Sequence, residues 1–409
     1  MAYYFLFPEK DTTIYSHPYR TDLNTGKVET LSLTSEVGND DNKYYPSRFL
    51  IKFNQNEIDN VIINKISNSL NSESDVYNAF SSSLKLYATE FNGDLPKTQT
   101  IEARALWRTN EDFENGTGRY NNHPYFNGII SDGASWLYAD NGTNKTPWVI
   151  PAPDNSSYTG SYIDTAGGGS WWINDIFEAL SAEAGMEPNQ TINITDNFDL
   201  NLDVGLIVKK FYTNSQLGST ESSTPPGIEN YGFIIKRKDD TININDNQGT
   251  LKYFSGDTHT IFSPTLIFKW DDSNYSPPKT TYVSTLTSGK IQLNPTNLKQ
   301  EYKQSEEPII RIHARPQYPD REFTTSSLYT KPYYLNATSY YSIEDYTSKE
   351  VIIPFDTEFT KLSANIEGMY FKLYIQGLQP ERYYRLLIRH DNNDGINIYD
   401  EDWYFKVVR

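Results

Sequence analysis

The chain contains no cysteine among its 409 residues. Disulfides, thiolate-bound zinc, iron–sulfur clusters and thiol catalysis are excluded together. Histidine is scarce, with only His17, His123, His259, His313 and His390. None stands in a G-x-S-x-G or H-E-x-x-H setting, so no nucleophile elbow or zinc-protease helix is written in the chain. Positive charge is in deficit: 36 Lys+Arg face 53 Asp+Glu, a formal net charge of −17. Nucleic-acid affinity rests on neutralised phosphates, so this balance argues against a nucleic-acid partner and equally against an anionic membrane surface. No apolar run approaches the roughly 20 residues that span a bilayer. The first ten residues, MAYYFLFPEK, lack the basic start, apolar stretch and small-residue cleavage site of a secretory signal.

Aromatic residues are abundant, at 14%, with 32 Tyr, 20 Phe and 7 Trp, and they supply the buryable surface that opposes disorder. The apolar runs are short and alternate. Residues 47–53 (SRFLIKF), 83–87 (SLKLY), 101–107 (IEARALW), 231–236 (YGFIIK) and 264–270 (PTLIFKW) read as period-2 strands, separated by Asn, Asp, Gly, Ser and Pro. Helical signals are few: 174–184 (NDIFEALSAEA) is the best, and 56–67 a weaker one. The expected class is all-β, with two β-sandwich domains of jelly-roll or Ig-like type. Residues 271–279 (DDSNYSPPK) read as a Pro-containing linker, dividing the chain into 1–275 and 276–409. Phe49, Ile51, Trp107 and Trp270, on the apolar faces of their strands, are expected in the first core.

Chemistry-bearing clusters are weak. Glu111, Asp112 and Glu114, Asp271/Asp272, and Asp400/Glu401/Asp402 group carboxylates, but neighbours on a strand point to opposite faces and are poorly placed for glycoside hydrolysis. Residues 391–401 (DNNDGINIYDE) fit a calcium loop poorly, with His390 at its first position. They fit a hairpin turning at Asn393-Asp394-Gly395 better. Gly167-Gly168-Gly169-Ser170 lacks the Lys-[ST] of a phosphate loop and reads as a strained turn or close chain approach. Trp136, Tyr138, Trp148, Trp171 and Trp172 lie in a loop-rich stretch. They either pack it against the sandwich or form a glycan-contact face. No catalytic set, cofactor or metal is expected.

Taken in order, several of these segments resemble a family. Asp11-Thr12-Thr13-Ile14-Tyr15, Leu31-Ser32-Leu33, the strands 47–53 and 83–87, Trp107 and Asp112-Phe113-Glu114-Asn115-Gly116-Thr117-Gly118 open the pattern. Asp132-Gly133-Ala134-Ser135-Trp136, Leu200–Val204 with 231–236, and 255–270 close it. Over about 260 residues this resembles the DNRLRE-type β-sandwich of large surface proteins and of virion proteins of tailed phages, marine ones especially. Phe113 stands where the family pattern has Trp. The resemblance implies a non-enzymatic virion protein of the tail, baseplate or neck, made in the host cytoplasm. Its partners would be other virion proteins or copies of itself in a symmetric ring, with a host-surface glycan as the alternative ligand of an adhesin and a polysaccharide depolymerase as a third reading. In the C-terminal part, Leu378-Gln379-Pro380-Glu381-Arg382-Tyr383-Tyr384 resembles the tyrosine corner of fibronectin type III domains, with Tyr384 bonding back to the chain.

Overall fold

The structure, a computed structural model, describes residues 2–38, 43–67, 69–92, 95–106, 112–119, 132–142, 145–148, 167–169, 171, 187–217, 228–238, 240, 247–279, 284–287, 289–318 and 333–409. Trp107, Glu111, His123, Trp172 and the expected helix at 174–184 lie outside the described residues. The chain is mostly β, with 46% strand against 11% helix, arranged in several sheets as an all-β, sandwich-type fold. Two compact units form: Leu6–Ile267, and Met1–Phe5 with Phe268–Arg409. The sequence puts the boundary at 275/276, whereas the units divide inside a strand, at Ile267/Phe268, and the first five residues go with the C-terminal unit.

The strands in chain order begin with β1 (Ala2–Leu6), β2 (Lys10–Tyr15), β3 (Thr30–Leu33), β4 (Ser35–Val37) and β5 (Tyr44–Lys52). Then come β6 (Ser81–Leu86), β7 (Ala88–Asn92), β8 (Thr98–Ala105), β9 (Tyr138–Asp140) and β10 (Thr146–Pro147). β11 (Asn189–Asn193), β12 (Leu200–Asp203), β13 (Phe233–Arg237), β14 (Thr250–Phe254) and β15 (Thr265–Trp270) follow. In the N-terminal unit a six-stranded sheet has the order β11-β8-β13-β5-β2, with β4 on β5, and a three-stranded sheet has the order β3-β14-β7.

The register explains why β5 and β13 are buried on both faces. Phe49 and Ile51 pair with Ile235 and Phe233, and these inward residues are buried, as are Leu31, Leu33, Leu251 and Tyr253 of the smaller sheet. The Phe49 and Tyr253 rings lie 5.9 Å apart. Arg48, Leu50, Ile14 and Ile234 share the opposite face, which the loop region around Trp136 covers. Arg237, buried on the inward face, donates to the Leu33, Thr34, Gln248 and Gly249 carbonyls at 3.0–3.1 Å and to Gln99 Oε1 at 3.2 Å. That set of acceptors clamps the two sheets together, and burial lowers the guanidinium pKa to about 10.

Helix α1 (Gln55–Val61) is capped by Asn54, whose side chain accepts from the Asn56 and Glu57 amides, and it runs into a π-helical turn at Ile62–Ile66. Helices α2 (Glu73–Ala79) and α3 (Gly205–Tyr212) follow. No helix is expected from the sequence at α3, where Ile207 and Val208 are β-branched residues that favour strands. Tertiary packing decides: Ile207, Val208 and Phe211 are buried, and Phe211 meets Phe233 at 5.5 Å.

The C-terminal unit contains β16 (Ser284–Leu286), β17 (Ile291–Pro295), β18 (Glu301–Lys303), β19 (Ile309–Pro316), β20 (Tyr333–Leu335) and β21 (Ser339–Asp345). It continues with β22 (Val351–Ile353), β23 (Ser363–Asn365), β24 (Gly368–Lys372), β25 (Arg382–Asn392) and β26 (Gly395–Val408). One sheet has the order β16-β20-β19-β24-β23 with β17 on β19, and the other β18-β26-β25-β21-β22. Tyr341 and Phe371, one from each sheet, stack at 4.2 Å. Tyr384 Oη donates to the Gln379 carbonyl at 3.0 Å, which is the tyrosine-corner geometry. β25 and β26 form the expected hairpin, with Asn392 paired to Gly395 around Asn393-Asp394. Trp270 is buried as expected, but it packs in this unit, 5.2 Å from Tyr374. The stretch read as a linker is tied down here: Ser276 N donates to the Ala364 carbonyl at 2.9 Å, and Tyr275 Oη to the Leu335 carbonyl at 2.6 Å.

Candidate functional site: the tryptophan-rich region over the six-stranded sheet

Three charged residues stand out on apolar strands: Arg48 in β5, Lys236 in β13 and Arg104 in β8, all on the sheet face covered by the tryptophan-rich region. Arg48 Nε donates to Asp240 Oδ2 at 2.6 Å and Nη1 to the Gly168 carbonyl at 2.7 Å. Its guanidinium lies 4.7 Å from the Trp136 ring and 4.9 Å from the Trp171 ring. Lys236 Nζ is 3.0 Å from both Asp240 and Glu102. Arg104 reaches Glu102 at 2.9 Å and Glu187 at 2.8 Å. Burial lowers the Arg104 pKa, and its carboxylate bonds outweigh that and raise it. Cations and carboxylates alternate along a buried chain, so each desolvated charge has an opposite neighbour.

The glycines explain how the loop approaches. Gly167, Gly168 and Gly169 have φ of 118°, 95° and 87°, a region that side chains disfavour. Gly168 N donates to the Trp136 carbonyl at 2.6 Å, and a Cβ on Gly168 would stand 2.5 Å from Arg48 Nη1. This is the close chain approach read from the glycine run.

Of the glycan-contact candidates, Trp136, Trp148 and Trp171 are 2%, 7% and 5% exposed. Their rings belong to a buried cluster with Ile14, Leu50, Leu106, Phe113 and Ile234. Trp148 Nε1 donates to the Ser135 carbonyl at 3.0 Å. Sugar stacking needs an open ring face, and these three rings have none. Tyr138 is half-buried, with Lys145 Nζ 5.0 Å from its ring, and Trp172 lies outside the described residues.

The motif around Asn115 is also used internally. Asn24 Nδ2 donates to the Asn115 and Ala134 carbonyls, and Asn24 Oδ1 accepts from the Gly26 and Gly118 amides. Asn115 Oδ1 accepts from Asp11 N at 2.9 Å and its Nδ2 donates to the Gly26 carbonyl at 2.8 Å. Asp132 accepts from the Thr117 amide and hydroxyl. Asp112 pairs with Lys52 and Lys10, and Glu114 with Lys10. Asp400 and Asp402 pair with Arg385. His390 is buried, its Nδ1 2.9 Å from Ser339 Oγ, and burial lowers its pKa. Among the described residues no three His, Asp or Glu side chains gather as a metal site.

Sequence reasoning missed Arg48, Lys236, Arg104, Glu102 and Asp240. The available signal was charge inside apolar strands: SRFLIKF, GFIIK and IEARA place it on one face. No family model matches the chain, and no curated protein matches it.

Proposed function

We propose that the chain is a structural subunit of a tailed-phage virion, in the tail, baseplate or neck, acting by protein–protein assembly rather than catalysis. The supporting observation is how its chemistry-bearing residues are spent. Arg48, Lys236, Arg104 and the tryptophans brace one sheet face, and Asn24, Asn115 and Asp132 lock the loop that carries the family-like motif. Residues so engaged hold a shape. The order of motifs resembling DNRLRE-type proteins supports the virion assignment.

Its partners are then other virion proteins or copies of itself, since particles are built from repeated subunits under closed symmetry. A stable contact buries on the order of 1,000 Å² or more. Among the described residues no helix is long and apolar enough to cross a membrane. The burial of Trp136, Trp148 and Trp171 removes the main support for a glycan-binding role. Mass spectrometry of purified particles tests the proposal. The chain is expected there in stoichiometric amount; its absence from mature particles, or polysaccharide turnover by the isolated chain, would overturn it.

A further inference from the structure

The far half of β26 is an unusual edge. β18 pairs with β26 only at Lys406–Val408, and among the described residues no strand pairs with the outer edge of its first residues, from Gly395 to Tyr399. On the other side this segment is held in register by β25, from Asn392↔Gly395 to Ile388↔Tyr399. Ile396 and Ile398 are 62% and 57% exposed. Proteins usually blunt such edges, because unpaired backbone groups recruit another strand. Here the register shift between Leu386 and Ile388, with Asp402 at φ 55°, interrupts the strand only beyond Tyr399. Among the described residues the tip stays regular and unpaired along its outer edge, with two β-branched side chains exposed.

We propose that the outer edge of Gly395–Tyr399 is a docking site for an extended segment of another protein, added as a further antiparallel strand and flanked by Lys or Arg. The charge pattern selects this occupant. Residues 391–402 (DNNDGINIYDED) contain Asp391, Asp394, Asp400, Glu401 and Asp402 and no cation. Arg389 and Arg385 partly offset Asp391, Asp400 and Asp402, whereas Asp394 and Glu401 have no cation partner in the ion pairs of this hairpin. A second copy pairing antiparallel about Asn397 would set Asp394 opposite Asp400, a like-charge pair that opposes association. A segment with β-branched residues at its centre and a cation three positions to each side sets one cation opposite Asp394 and the other at the adjacent Asp400 and Glu401 instead. Backbone bonds would supply affinity, Ile396 and Ile398 apolar contact, and the acids the choice of partner. This inference rests on the strand geometry and does not depend on the virion reading.

The test uses the full chain and a labelled seven-residue peptide, Lys-Thr-Val-Thr-Val-Thr-Lys, followed by fluorescence anisotropy. Binding in the micromolar to sub-millimolar range is expected, weakening at least tenfold between 50 and 500 mM salt, as for exposed charge pairs. A Glu-flanked peptide and one N-methylated at alternate residues should each lose at least tenfold. These two controls leave the protein unaltered, so misfolding cannot imitate the result. An Asp394→Lys, Glu401→Lys double variant with an unchanged far-UV spectrum should prefer the Glu-flanked peptide. Equal binding of Lys- and Glu-flanked peptides, full binding of the N-methylated peptide, or no binding of the basic peptide at 1 mM would overturn the proposal. So would self-association of the full chain abolished by Ile398→Thr, which would make a second copy the occupant.

Discussion

Replacing Arg48 by Met separates a brace from a binding surface. Methionine retains much of the side-chain volume, so the cavity contribution is small. The charged bonds to Asp240 at 2.6 Å and to the Gly168 carbonyl at 2.7 Å are lost, together with two ring-face contacts. Removing one partner of a buried ion pair costs about 3–5 kcal/mol, chiefly because the other charge stays buried. Lys236 remains 3.0 Å from Asp240, which favours the low end. Sulfur–aromatic contact with Trp136 and Trp171 returns about 1 kcal/mol of the lost cation–π attraction. The net expectation is a loss of about 3 kcal/mol, which for a unit of this size lowers Tm by roughly 6–12 °C. Urea unfolding followed by tryptophan fluorescence measures it, and near-UV circular dichroism reports whether the tryptophan packing loosens. A double-mutant cycle with Asp240→Asn should give a coupling of about 1 kcal/mol or more. Stability within about 0.5 kcal/mol of the parent would show that the network is not a brace. The tryptophan region would then again be open to a ligand-binding reading.

Three further outcomes follow from the geometry. Burial raises the Asp11 carboxyl to about 7, against its bond from the Gly256 amide, so the folded state holds its proton more tightly than the unfolded chain. Its stability contribution is therefore present below about pH 4 and is lost as pH rises to 7, by up to ~4 kcal/mol; Asp11→Asn should flatten that part of the pH–stability profile. Asp345 behaves oppositely: burial pushes it up, but Arg382 and Ser348 bring it down to about 2. Its contribution, about 2 kcal/mol, is present above pH 4 and is lost as pH falls toward 2, and Asp345→Asn should remove that acid limb in denaturant titrations. Tyr384→Phe deletes the bond to the Gln379 carbonyl and should cost roughly 1 kcal/mol, a drop of about 4 °C by calorimetry; an unchanged transition would refute the corner's bracing role.

What could be read from the sequence was local. Alternation in SRFLIKF gives β5 and its buried Phe49 and Ile51, the NDG turn gives the β25–β26 hairpin, and LQPERYY gives the tyrosine corner. Each needs only a few consecutive residues and a fixed period. The unread part is non-local. That Trp136 and Trp171 enclose Arg48 depends on residues 48, 136, 171 and 240 meeting across large loops, and no spacing encodes it. The transfer of Met1–Phe5 to the C-terminal unit is of the same kind: Tyr3 Oη donates to Asp356 Oδ2 at 2.9 Å across almost the whole chain. The helix at Gly205–Tyr212 failed for another reason, since burial of one face overrode a strand-like composition.

The use of cations inside the chain sharpens what its surface can meet. Arg48, Arg104 and Lys236 are buried beside the buried carboxylates of Asp240 and Glu102, and Arg104 also reaches the partly exposed Glu187. Arg237 is buried against carbonyl oxygens, which removes a cation from the surface without removing an anion. The exterior thus keeps the acidity of the −17 chain. Salt dependence then has opposite signs for the two modes of assembly. Copies of this chain repel one another, so screening should strengthen a homo-oligomer. A basic partner is attracted, so screening should weaken a hetero-assembly. Sedimentation of the chain alone and with a basic partner protein, at 50 and 500 mM salt, separates the two. A self-association that weakens with salt would require a basic patch opposed to an acidic one between copies, and the acidic tip at 391–402 is the first place to look for its acidic half.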